Sequence, residues 1–140
     1  MRPTRQEHVQ QLADAFEVRL IISPLLKPEE AMAIPAHRLV LAAPIHEDLG
    51  YAVVLHELGH LASPTGALQG VTRTPRVLLT EEEAAWNWAR HYALDWTASM
   101  EGLARWAMST YEDHPAPAPR GQLDKPAKPQ QQIDWTKWKR

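Results

Sequence analysis

Cysteine is absent from this 140-residue chain, which rules out disulfides and any thiolate metal site. Long apolar runs are missing as well, and none approaches the roughly 20 residues needed to span a bilayer. The opening residues, Met1-Arg2-Pro3-Thr4-Arg5-Gln6-Glu7, are polar and lead into no apolar signal segment. Together these absences predict a soluble, cytoplasmic protein with no membrane partner. A strong overall charge is lacking too, since the formal net is −2. That figure hides a split. Residues 1–113 hold 9 basic and 15 acidic side chains, net −6, whereas residues 114–140 hold 6 and 2, net +4. The asymmetry predicts one folded domain over 1–113 and a tail over 114–140. A domain of that size has enough core to fold unaided.

Periodicity outlines the elements. Val9, Leu12, Ala13 and Phe16 recur at helical spacing and predict an amphipathic helix over 4–16. Val18, Leu20 and Ile22 alternate with Arg19 and Ile21, a strand closed by Ser23-Pro24. Ala31–Ile34 and Arg38–Leu41 are short apolar runs around Pro35-Ala36-His37, which predicts a hairpin. A helix follows over 46–62, then a loop over 63–79. Thr80 and Glu83 match a capping box and predict a second long helix from Thr80 to about Asp113, interrupted near Ser99–Gly102.

The 46–62 helix carries His56-Glu57-Leu58-Gly59-His60, an HExxH pattern. Residues four apart lie on one helix face, so His56 and His60 can offer two imidazole nitrogens to one metal ion. Glu57 sits about 100° further round, where a general base for a metal-activated water belongs. With 7 His and 11 Glu in 140 residues, roughly 0.03 such matches arise by chance, so the pattern carries weight. It predicts a zinc metallopeptidase site with one Zn2+ per chain and Glu57 as the catalytic residue.

Catalytic zinc commonly has three protein ligands and one open position. The metzincin extension needs Gly at 63 and His at 66, but Ser63 and Gly66 stand there. A carboxylate from the second helix remains, and Glu81-Glu82-Glu83 supplies three candidates. Glu82 shares the inward stripe of Ala85, Ala89, Tyr92 and Trp96, with Trp88 flanking it. Glu82 is therefore the predicted third ligand and Glu81 the runner-up, while Glu83 is assigned to the capping box. The strand Arg38, Leu39, Val40, Leu41 and Ala42 is the predicted edge on which an extended substrate would pair.

The run Ala52–His60, followed by Glu82-x-x-Ala85-x-x-Trp88-Ala89, resembles the ImmA/IrrE-type zinc metallopeptidases over about residues 5–100. The resemblance implies a zincin-like α+β fold, with a short three-stranded sheet packed on helices that include the HExxH helix. It adds weight to Glu82. It also implies metallo-endopeptidase activity on a protein substrate, such as a helix-turn-helix repressor that controls a mobile element, a phage or a stress response. Leu61-Ala62-Ser63-Pro64 replaces the His-bearing extension often found after the motif, and no helix-turn-helix segment occurs here.

The tail lies outside the resemblance. Five of the 12 prolines fall in it, with Gln130-Gln131-Gln132 and scattered lysines, which predicts a disordered linker. Its end, Ile133-Asp134-Trp135-Thr136-Lys137-Trp138-Lys139-Arg140, is aromatic enough to serve as a docking motif. This supports an alternative class: a non-catalytic zinc-binding module that docks a protein or nucleic-acid partner through 133–140. Interleaved Trp and Lys suit nucleic acid weakly, and the acidic body argues against direct binding.

Overall fold

The computed structural model describes residues 2–63 and 75–111. The predicted tail at 114–140, its 133–140 motif and most of the 63–79 loop lie outside the described residues. Those described form an α+β fold of four α-helices and a mixed three-stranded sheet.

Helix α1 spans Arg5–Ala15 and opens on a capping box. Thr4 Oγ1 accepts from the Glu7 N–H at 3.1 Å, and Glu7 Oε1 accepts from the Thr4 N–H at 2.8 Å. It closes with a left-handed residue, Glu17 at φ 58°, after which the Val18 N–H donates to the Ala13 carbonyl at 2.8 Å. That is a Schellman ending built on glutamate rather than glycine. Strand β1, Arg19–Ile22, follows at once.

Strands β2, Met32–Ile34, and β3, Leu39–Ala42, form the expected hairpin, joined by a 3-10 turn over Pro35–His37. Met32 pairs with Leu41 and Ile34 with Leu39, antiparallel, while β1 runs parallel to β3 with Arg19 opposite Leu39. The strand order is β1-β3-β2. This corrects the assignment of Arg38, Leu39, Val40, Leu41 and Ala42 as a substrate-binding edge. Strand β3 is central, and its backbone is engaged by a neighbour on each side.

Arg38 is not in the strand at all. It adopts φ 45°, and its guanidinium donates to the carbonyls of Phe16 at 2.7 Å, Glu17 at 3.2 Å and Leu61 at 3.2 Å. Phe16 caps α1, and Leu61 lies in the last turn of α2, Asp48–Ala62. One cation thus satisfies carbonyls at the C-terminal ends of two helices, where their dipoles favour positive charge.

Helix α2 is the spine of the molecule. Eleven of its 15 residues are buried, so it is enclosed on nearly every side rather than amphipathic. Its first-turn Asp48 accepts from Arg5 Nη1 and from Thr97 Oγ1, both at 2.8 Å. Tyr51, fully buried, shares a 2.8 Å hydrogen bond with His8 Nδ1 and accepts from the Leu94 N–H at 2.9 Å.

Helix α3 runs from Pro75 to Tyr92, so it begins before Thr80. Thr80 and Glu83 are exposed positions within it and do not form its capping box. Proline is well suited to a first helical turn, and here that signal prevails over the Thr-x-x-Glu pattern. The break before α4, Ala98–Ser109, falls at 93–97 rather than near Ser99–Gly102. Thr97 is the cap, accepting from the Met100 N–H at 3.2 Å. Trp96 therefore belongs to the connection and not to the α3 stripe.

Glu101 of α4 ties this connection to α3. Its carboxylate accepts from Arg90 at 2.7 and 3.2 Å, from Trp96 Nε1 at 2.7 Å and from Arg105 at 2.9 Å. The Arg90 hydrogen bonds, followed by those of Trp96 and Arg105, outweigh partial burial and bring its pKa from 4.5 down to about 2.

Two predictions follow from these contacts. Lysine cannot reach three carbonyls from one fork, so Arg38→Lys should lower unfolding free energy in urea by about 1–2 kcal/mol. A depressed carboxyl pKa stabilises the fold above its unfolded value and loses that contribution as protons bind. Wild-type stability should therefore fall between pH 4.5 and about 2. Glu101→Gln should be weaker at pH 7 by about 1 kcal/mol and show a shallower decline across that window.

Candidate metal centre

His56 and His60 project from α2 toward α3, and Glu82 projects from α3 toward them. Glu82 Oε2 lies 3.4 Å from His56 Nε2 and 2.5 Å from His60 Nε2. Three donor atoms from two helices therefore converge. Glu57 stands at the same place, with Oε2 3.9 Å from His56 Nδ1. His56, Glu57 and His60 offer ligand atoms within 4.8 Å of one another and could hold a metal ion.

The approach of the two helices is set inside the motif. A Cβ on Gly59 would lie 2.6 Å from the Ala85 carbonyl oxygen and 3.1 Å from its Cα. Any side chain at 59 would drive the backbones apart. Ala85 lies three residues after Glu82, and Trp86 lies four after it, so all three share the inner face of α3. Glu81 and Glu82 are both buried, each 6% exposed, whereas Glu83 faces solvent. Glu82 is the one whose carboxylate contacts both imidazoles, and Glu81 acts on His60 through its charge.

Trp86, fully buried, lies flat against the His56 ring, with centroids 4.1 Å apart and planes 14° from parallel. It packs as a helical stripe residue should, but the surface it packs on is a candidate ligand. Tyr92 is exposed instead of buried, and meets Phe16 and Trp88 edge-on and tilted at 5.3 and 4.8 Å. His37, His46 and His91 are exposed. Tyr111, to which sequence periodicity assigned no role, donates its hydroxyl to Glu82 Oε1 at 3.2 Å.

The electrostatics of the cluster set burial against close opposite charges. Burial pushes the His60 imidazole down, but the hydrogen bond and charge of Glu82, with Glu57 and Glu81 behind it, raise it overall. Burial also opposes ionisation of Glu82. The charge of His56 and the contacts of both imidazoles overcome that and hold the carboxyl far below its usual range. Glu57 is pushed up, first by burial and further by the Glu82 charge, with the imidazoles opposing. Both His56 nitrogens are buried without a hydrogen-bond partner among the described residues. Unsatisfied buried groups of this kind cost about 1–3 kcal/mol each, a deficit that a ligated ion removes from Nε2.

No family model matches the chain, and neither does any curated protein or solved structure.

Gly59→Ala tests the helix approach directly. Forcing α2 and α3 apart should cost about 1–3 kcal/mol in stability, and it should weaken metal binding measured by isothermal titration. Unchanged stability and affinity would show that the helices do not need this contact.

Proposed function

We propose that this chain is a zinc-dependent metallo-endopeptidase of the ImmA/IrrE type, working in the cytoplasm on a protein substrate. The substrate class is a helix-turn-helix repressor or comparable regulatory protein. The observation that carries this reading is the convergence of His56 Nε2, His60 Nε2 and Glu82 Oε2 beside a second carboxylate, Glu57.

The donor set suits zinc. Zinc–ligand distances near 2.0–2.1 Å put tetrahedral donors about 3.4 Å apart, the spacing between His56 Nε2 and Glu82 Oε2. The His60 and Glu82 atoms are closer, at hydrogen-bond distance, a contact that the ion would replace. When bound, zinc would supply carbonyl polarisation and acidification of water. The residues of the chain do the rest. His56, His60 and Glu82 would hold the ion, and Trp86 covers one face of the His56 ring. Glu57 takes a proton from water as that water attacks the peptide carbonyl, then delivers it to the departing amine nitrogen. Among the described residues, the strands at which an extended substrate could pair are β1 and β2, the outer strands of the sheet. Of these, β2 packs on α2.

The test is a zinc-loaded chain incubated with a peptide library read by mass spectrometry. Wild type should cleave, and Glu57→Gln should retain one zinc while losing at least about 100-fold in rate. Equal cleavage by the two proteins would end the assignment. One tightly bound zinc with no cleavage would favour the non-catalytic zinc-binding module instead.

A further inference from the structure

Helix α4 ends in hydroxyl-stabilised turns. Ser109 Oγ donates to the Trp106 carbonyl at 2.6 Å, and Thr110 Oγ1 donates to the Ala107 carbonyl at 2.7 Å. The Thr110 and Tyr111 N–H groups donate to Ala107 and Met108 at 3.2 and 3.1 Å. Leu103, Ala104, Trp106 and Ala107 bury the last turns of the helix in the core. The position from which Tyr111 leaves α4 is therefore defined, and from there its hydroxyl reaches Glu82 Oε1 at 3.2 Å.

That contact divides the carboxylate. Oε1 takes the phenol, while Oε2 faces the two imidazoles. The terminal torsion of glutamate is broad and nearly two-fold, so the side chain alone does not choose which oxygen points where. A donor fixed on one oxygen makes the choice. We propose that Tyr111 is a positioning residue that presents Glu82 to the metal through one oxygen and so raises the metal affinity of the site. The inference rests on the zinc reading above. It adds a third helix to the site, because α4 then contributes to a centre otherwise built from α2 and α3.

The experiment is zinc affinity by chelator competition on wild type, Tyr111→Phe, Thr110→Val and Glu82→Gln, with cobalt(II) absorption recorded on each. Tyr111→Phe keeps the ring and removes only the hydroxyl. It should bind zinc about 10–100-fold more weakly, as expected for loss of a partner behind a metal ligand, and should shift the visible cobalt bands. Thr110→Val disturbs the same turn without touching Glu82 and should keep wild-type affinity and spectrum. Equal losses in the Phe and Val variants would mean a merely structural effect and overturn the proposal. So would an unshifted cobalt spectrum with affinity within twofold of wild type. If wild type binds one zinc and Glu82→Gln loses it while Tyr111→Phe binds as tightly as wild type, only this inference falls. If wild type binds none, the peptidase reading falls and takes the inference with it.

Discussion

Backbone against backbone at Gly59 and Ala85 is the contact on which the rest of the arrangement depends. Helices usually pack 8–10 Å apart, at a distance set by the side chains between them. Here the side chains are withdrawn, and the missing Cβ leaves room for a carbonyl oxygen. The glycine lies between the two histidines, and the alanine lies one turn beyond the glutamate. The same close approach that packs the two helices also brings a short carboxylate within reach of two imidazoles. A longer spacing would leave Glu82 buried and charged with no counter-charge, an expensive state for a carboxylate.

Burial and charge are balanced on a small scale around that contact. Three acidic residues, Glu57, Glu81 and Glu82, stand near two histidines, so the cluster holds more acidic than basic groups. Low polarity on the Trp86 side sharpens every one of these interactions. A divalent cation would reverse the sign of the problem, turning mutual repulsion among carboxylates into shared attraction. The site looks costly without an ion for this reason, and the cost is borne by a helix that is otherwise almost wholly apolar core.

What was legible in the sequence was local periodicity. The α1 stripe, the β2–β3 hairpin, the HExxH helix and the inward face of Glu82 all follow from counting residues along one element. Relations between elements were hidden. Nothing in Arg38 itself says that it would close two helices, because its three acceptors come from residues 16, 17 and 61. The place of β3 in the middle of the sheet depends on β1 pairing across a gap in sequence, which alternation along one strand cannot reveal. Tyr111 lies 29 residues from Glu82 and reaches it only because α4 folds back on the core. The start of α3 at Pro75 differs from the sequence expectation for another reason. Two valid start signals, Pro75 and Thr80-x-x-Glu83, competed within a few residues, and propensity alone does not rank them.

The N-terminal anchor has a consequence for how the molecule comes together. Arg2 donates to the Leu94 carbonyl and Arg5 binds Asp95, contacts that span 92 and 90 residues of chain. Helix α1 also holds α2 through Arg5–Asp48 and His8–Tyr51, but the Arg2 and Arg5 bonds to Leu94 and Asp95 exist only once the α3–α4 connection has been made. The capping box and Schellman ending let α1 form early as a local unit. Completing its set of contacts must await the α3–α4 connection, so the entropy of closing that long loop is met late. Assembly of this kind favours an all-or-none transition, with helix α1 fully secured only when the α3–α4 connection is in place.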